Sequence, residues 1–389
     1  MLPVVCGAAF MVFTQTFMVA PLIPRLAAVF GSPIGWVALA IPAYVVPQAI
    51  GTLCSGPLSD RLGRRGVILG SLLVFIVLTA ATATAHRVDT FIIWRVLTGV
   101  SAAGIVPISL TLIGDVVPFQ RRGRAVGWLF GSIAGGTATG AAIGALLEPV
   151  LGWRSLFLGV AALCALVVLL AIATRALPRS QRLTAAPAWR QLVRGYRALL
   201  ARRRAQRTYT YVLLNAILQS GVFTWLGVYL HQRFGLGEMG IGLVLLGYGV
   251  PGLLFGPVIG KLADRFGRAR IIPAGVALTG LCALALALPL HLGLVQTAII
   301  LLSLGFDLTQ PLLAAIATDL HGDRGQTVAL MAFSLFTGFG VGSLVFQGAL
   351  ALGFTAALVL FGLAALAAAG VALRLFRDER PAAAPQLHA

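Results

Sequence analysis

Apolar runs of about twenty residues, the length that crosses about 30 Å of hydrocarbon, follow one another along the whole chain. Short connections between them hold nearly all the charge. Twelve such runs stand near residues 2–24, 33–57, 66–85, 91–114, 124–147, 154–173, 208–230, 240–260, 270–290, 294–317, 326–348 and 352–373. They are rich in Leu, Ala and Gly and lack alternation at every second position, which predicts helices rather than barrel strands. Backbone groups in lipid need partners within their own segment, and that requirement points the same way. The expected fold is therefore all-α and integral to a membrane, with twelve transmembrane helices. The first run begins almost at Met1 with no basic stretch before it, so it reads as a retained span.

Composition changes the picture little. Charged residues make up 10% of the 389 and hydrophobic ones 59%, against about 25% charged in a soluble domain. The four cysteines (Cys6, Cys54, Cys164 and Cys282) are single and scattered, so neither a disulfide framework nor a metal site is expected. The five histidines (His86, His231, His291, His321 and His388) fall at loops or ends without ligand spacing. No nucleophile–base cluster accompanies them, which argues against an enzyme. No Walker A sequence occurs, so an ATP-driven pump is unsupported. No cofactor is implied.

The formal net charge of +18 raises the question of nucleic acid, and its placement answers it. One set of alternate connections, together with the linker and tail, carries 24 of the Lys and Arg. The other set carries four, Arg25, Arg87, Arg154 and Arg233. This positive-inside bias places both termini in the cytoplasm of a cell inner membrane, with anionic lipid rather than DNA as the partner.

A shift of 204 residues lays one half on the other. Tyr44 falls on Tyr248, Pro47 on Pro251, Gly56 on Gly260, Asp60 on Asp264, Arg61 on Arg265, Gly63 on Gly267 and Arg64 on Arg268. Pro107 then meets Pro311 and Asp115 meets Asp319; at a shift of 202, Gly136 and Gly140 meet Gly338 and Gly342. With six spans per half the repeats are parallel, as in a carrier that alternates around a central site and works as a monomer. The expected units are an N-terminal six-helix bundle over 1–173, a basic linker over 174–207, a C-terminal bundle over 208–376 and a tail over 377–389. Within the linker, Trp189, Leu192, Val193, Tyr196 and Leu200 share a helical face with Arg190, Arg194 and Arg197 to its side. That pattern fits an amphipathic helix on the inner leaflet, or a plain solvated connection.

Polar side chains inside the spans are costly and mark a cavity or a partner. They are Gln15 in span 1, Gln48 in span 2, Arg95 in span 4, Asn215 and Gln219 in span 7, Asp307 and Gln310 in span 10, and Gln347 in span 11. Spans 3, 6, 9 and 12 have none and are expected to face lipid. A substrate cavity lined by Gln15, Tyr44, Gln48, Asn215, Gln219 and Gln310 follows, with Asp307 as a proton site and Arg95 tuning it. The alternative for each charge is an interhelical tie. The repeat sets Asp307 opposite Ala103, eight residues from Arg95 or about 12 Å, so a direct pair would need water or movement. Glycines at 131, 135, 136, 140 and 144 of span 5, and at 338, 340 and 342 of span 11, offer close helix packing or a smooth sliding face.

Gly56-Pro57-Leu58-Ser59-Asp60-Arg61-Leu62-Gly63-Arg64-Arg65 resembles the loop motif of the major facilitator superfamily, and Gly260 to Arg268 repeats it. The resemblance covers essentially the whole chain. It implies that Asp60 and Asp264 sit against the N-termini of spans 11 and 5, that Arg64 pairs with Asp115 and Arg268 with Asp319, and that these residues, with Gly56, Arg61, Gly63, Gly260, Arg265 and Gly267, form a conformational lock. Arg95, Gly99 and Gly104 resemble the family's span-4 motif, whose Arg is implicated in proton coupling, and Gly152-Trp153-Arg154 is similar to its usual start of span 6. The chain looks most like the twelve-span drug:proton antiporter and sugar-efflux branch, which implies protons and a small amphipathic or sugar-like molecule as partners. Gly140-Ala141 stands where the antiporter motif has Gly-Pro, so a proton symporter importing a small metabolite stays open. A non-transporting membrane sensor with the same fold is the reading from another class.

Overall fold

The computed structural model describes residues 1–178, 189–252, 259, 262, 266–320 and 324–379, with backbone alone at 57, 119–124, 189 and 324. Among these residues there are helices and no strands. Ten stretches are long and apolar enough to cross a membrane, among them Leu2–Phe30, Ile34–Gly56, Arg64–Thr82 and Val88–Val116. One of the ten, Ala125–Ala173, holds two crossings, because the helix Phe119–Ala173 breaks at Gly152. There φ is +73°, a left-handed conformation that glycine adopts at no steric cost. The eighth expected span, 240–260, begins as the helix Glu238–Leu246 and then enters residues outside those described. The remainder is consistent with twelve spans in two pseudo-symmetric six-helix bundles.

Boundaries depart from expectation at span 1. Its helix Leu2–Phe17 stops, passes through a 3₁₀ turn at Ala20–Leu22 and resumes over Ile23–Phe30. Leu73, Val74 and Val77 of span 3, Leu166 and Leu169 of span 6, and Leu363 and Leu373 of span 12 are exposed, as lipid-facing helices require.

The glycine stripes pack inside each half. A Cβ on Gly140 would stand 2.8 Å from the Cα of Thr14 in span 1, and one on Gly342 would stand 2.8 Å from the Cα of Ile217 in span 7. Span 5 therefore lies on span 1 as span 11 lies on span 7, and the sliding role considered for these faces gives way to tight packing. Gly131 meets nothing within 4 Å. Gly340 is the exception, reaching across to Val45 and Val46 of span 2. Between the halves, Gln347 Nε2 of span 11 donates to the carbonyl of Gly35 at 3.3 Å, and Gly242 of span 8 lies against Ala145 and Leu146 of span 5.

The linker helix Trp189–Leu200 forms, and part of its apolar side packs on the protein. Leu192 and Leu199 are buried against the protein, while Leu200 is 41% exposed. Gly195 faces span 11, where a Cβ would stand 2.7 Å from the Cδ of Gln326. The buried face is thus Leu192, Gly195, Tyr196 and Leu199, because a protein groove selects a narrower stripe than a lipid surface does.

Candidate functional site

Arg95, on the helix Val88–Ala102, is fully buried, and no carboxylate neutralises it among the described residues. Its Nε donates to the carbonyl of Ala40 at 3.1 Å. Its Nη1 donates to Gln15 Oε1 at 2.8 Å and to the Gln15 carbonyl at 3.3 Å, and its Nη2 to the Thr16 carbonyl at 3.3 Å. The guanidinium also lies 4.3 Å over the ring of Tyr44. These carbonyls are available because two helices break here. Gln15 and Thr16 end the helix Leu2–Phe17, and Ala40 sits between Ile34–Ala38 and Pro42–Leu62. Helix C-termini present orphan carbonyls and the negative end of the dipole, so they suit a cation. A planar five-donor fork can serve several carbonyls at once, which an ammonium cannot.

Asp307 belongs to another neighbourhood and does not pair with Arg95. Ser303 Oγ donates to its Oδ2 at 3.2 Å. A Cβ on Gly252 of span 8 would stand 3.0 Å from the same oxygen and 2.7 Å from the Cβ of Ala134 in span 5. The carboxyl group therefore lies where spans 5, 8 and 10 meet, at the seam between halves. Among the described residues it forms no ion pair.

We refer to the buried amides of spans 1, 2, 7 and 10 as the amide belt. Asn215 Nδ2 donates to Gln310 Oε1 at 3.4 Å, joining spans 7 and 10. Gln219 lies one turn along span 7, and Gln48 lies one turn beyond Tyr44 in span 2. Gln15, Tyr44, Gln48, Asn215, Gln219 and Gln310 are all buried. Among the described residues, both amide atoms of Gln48 and of Gln219 find no partner, nor do Gln15 Nε2, Asn215 Oδ1 and Gln310 Nε2. Each such atom costs about 1–3 kcal/mol when left dry. Rings close the belt: Phe17 of span 1 meets Phe223 at 5.4 Å and Phe339 at 5.7 Å, and Phe223 meets Tyr248 at 4.3 Å.

On the face that carries the termini, Arg64 Nη1 stands 2.9 Å from Asp115 Oδ2 and its Nη2 4.0 Å from Asp60 Oδ1. In the second half Arg268 Nη1 stands 2.8 Å from Asp319 Oδ2. Gly63 and Gly267 make the same turn, with φ of +84° and +82°. Gly56 and Arg61 lie in the helix Pro42–Leu62, with Arg61 exposed and open space beside Gly56. Gly260, Asp264 and Arg265 lie outside the described residues.

Two contacts escaped the sequence reading. Glu148, buried at the end of span 5, accepts from Arg25 Nε at 3.1 Å; it stands just past the apolar run, so hydropathy gave no signal. Tyr196 donates to the Leu53 carbonyl at 3.1 Å. That carbonyl is left free because Pro57, four residues on, has no N–H, and this signal was readable.

Comparison with known proteins matches a family model described as Major Facilitator Superfamily over residues 5–343 and 237–389. An uncharacterized MFS-type transporter of Bacillus subtilis, YwfA, is 29% identical over 330 residues, 84% of this chain and 79% of its own. A chloramphenicol resistance protein of Streptomyces lividans is 28% identical over 336 residues, 85% of this chain and 84% of its own. The crystal structure of a POT family transporter in complex with 5-aminolevulinic acid shares the fold, with a TM-score of 0.80 at 13% identity over 97% of this chain and 96% of that one.

Proposed function

The chain belongs to the major facilitator superfamily of membrane transporters, and from that premise we propose that it is a proton-coupled exporter of small amphipathic or sugar-like molecules. The observation that carries the reading is Asp307, a carboxyl group at the seam between halves with no cation partner among the described residues, on the same helix as Gln310 of the amide belt. A group there can meet each side of the membrane in turn. A buried carboxyl exchanging protons couples to a site whose own hydrogen bonds change on loading. Arg95, held by carbonyls, supplies the fixed positive charge of the first half. The relative named for chloramphenicol resistance supports an outward direction. The bodies that move are 1–173 and 208–376, and each is tied at the terminal face by its own pair, Arg64–Asp115 in the first and Arg268–Asp319 in the second. The bias of 24 basic residues against four supports a cytoplasmic terminal face in a cell inner membrane, next to anionic lipid.

The test is Asp307→Asn in proteoliposomes, with a transported compound drawn from a panel of amphipathic drugs and sugars. Exchange down a substrate gradient should persist, and accumulation driven by an imposed pH gradient should vanish. Accumulation that survives would move the proton elsewhere. Gly140-Ala141 in place of Gly-Pro favours the import reading, and the direction of the driving gradient separates the two.

A further inference from the structure

We propose that the amide belt between the halves takes an uncharged aromatic ligand bearing both hydrogen-bond donors and acceptors; this rests on the transport reading above and names the substrate class of that site. The argument starts from which polar atoms are unused. Among the described residues, Gln48 and Gln219 each leave a donor and an acceptor without partners, Gln310 leaves a donor and Asn215 an acceptor. All four side chains are at least nine-tenths buried, with exposures of 1% to 3%. Buried groups of this kind are retained at a cost, and a ligand that satisfies them recovers it. Offering N–H and C=O together, they match a ligand with both functions.

The two charges are not offered in the same way. Arg95 already donates to Gln15, Thr16 and Ala40, and Tyr44 covers its face. An anion would have to displace those bonds. Asp307 faces Gly252 and the seam with span 5, whereas Gln310, one turn along, is turned toward Asn215 of span 7. The carboxyl group and the amide of span 10 thus meet different neighbouring helices. The apolar part of the ligand is provided for by Phe17 and Phe223, which meet edge to face at 5.4 Å. Charge is held in reserve for the proton, and recognition falls to neutral groups.

The experiment measures binding of three single-ring probes to the purified full chain by equilibrium dialysis at one pH. They are 4-hydroxybenzamide (neutral), benzyltrimethylammonium and benzoate. The neutral probe should bind at least about ten-fold tighter than either ion. Gln48→Leu and Gln219→Leu should each weaken it roughly three- to ten-fold, and should raise the thermal midpoint, because an unpartnered amide is replaced by an apolar side chain of similar size. A packing role would do the reverse, lowering the midpoint and leaving affinity alone. Tightest binding by an ion, no binding by any probe, or unchanged affinity in both variants would overturn the proposal. A chain that binds 4-hydroxybenzamide as stated, yet moves nothing in response to a pH gradient, would uphold this site and sink the coupling. Gradient-driven flux of benzyltrimethylammonium without neutral binding would do the opposite.

Discussion

Placing a methyl group at Gly140 is the sharpest test of how the first half is held together. The added Cβ would meet the carbonyl oxygen of Thr14 first and stand 2.8 Å from its Cα, where ordinary contact begins at 3.4 Å, so spans 1 and 5 must part by more than about 0.6 Å (3.4 − 2.8). The obstacle is backbone, and no side-chain rotation relieves it. Thr14 immediately precedes Gln15 and Thr16, whose carbonyls hold Arg95 at 3.3 Å. Those bonds are already at the long end of the range, and a shift of this size takes them beyond reach. Overpacking costs about 1–3 kcal/mol, and a lost bond to a charged donor about 1.5–3 kcal/mol. Gly140→Ala should therefore destabilise by about 2–5 kcal/mol even after the gain in helix propensity. Gly131→Ala, on the same helix with open space around it, should instead stabilise by about 0.5–1 kcal/mol. The assay is the unfolding midpoint of each purified variant in one detergent. Midpoints that move in the same direction would refute the account of the span 1–span 5 contact.

Three further outcomes follow from other contacts. Arg95→Lys keeps the charge but cannot serve three carbonyls and the Gln15 amide from one atom; we expect a loss of about 2–4 kcal/mol in stability and of transport, read from the unfolding midpoint and liposome flux. Arg268→Gln removes a half-exposed ion pair with Asp319. Stability should change by under about 1 kcal/mol while turnover falls, a split that parallel melting and flux assays would detect. Burial raises the Glu379 carboxyl, but the Arg204 hydrogen bond and the charges of Arg204, Arg207 and Arg268 outweigh it, so the group is held below its ordinary value. Its stabilisation of the tail is complete above that ordinary value and is lost as pH falls through the depressed one. Acid melting curves should show this loss, and Glu379→Gln should abolish it.

What was legible in the sequence depended on whether a contact repeats or changes polarity. The Arg64–Asp115 and Arg268–Asp319 pairs could be anticipated because charge recurs at one offset in both halves. The lipid-facing helices could be anticipated because they lack polar residues. The setting of Arg95 could not, since most of its partners are backbone carbonyls exposed by helix breaks at Phe17 and Ala38, and every residue has a carbonyl. Depth along a helix also misleads: Asp307 and Arg95 were candidates for one site, yet their helices turn them to different neighbours. On the linker helix, Leu192 and Tyr196 of the expected face pack on the protein, and Leu200 does not. Its apolar residues fit two stripes, and only the groove beneath selects Leu199 over Leu200.

In the proposed transport cycle, the linker helix Trp189–Leu200 gives the two open states unequal mechanics. It rests at Leu53 on the first half and against Gln326 on the second, so it spans the seam as a splint rather than hanging from it as a cord. Small rocking motions that part the far ends of the bundles leave the splint unloaded. Motions that part the terminal ends must peel it from one support, exposing the Leu53 carbonyl that Pro57 cannot serve. The terminal mouth should therefore open in discrete, infrequent events and the far mouth by graded breathing, an asymmetry of rhythm built by a segment that touches no transported molecule.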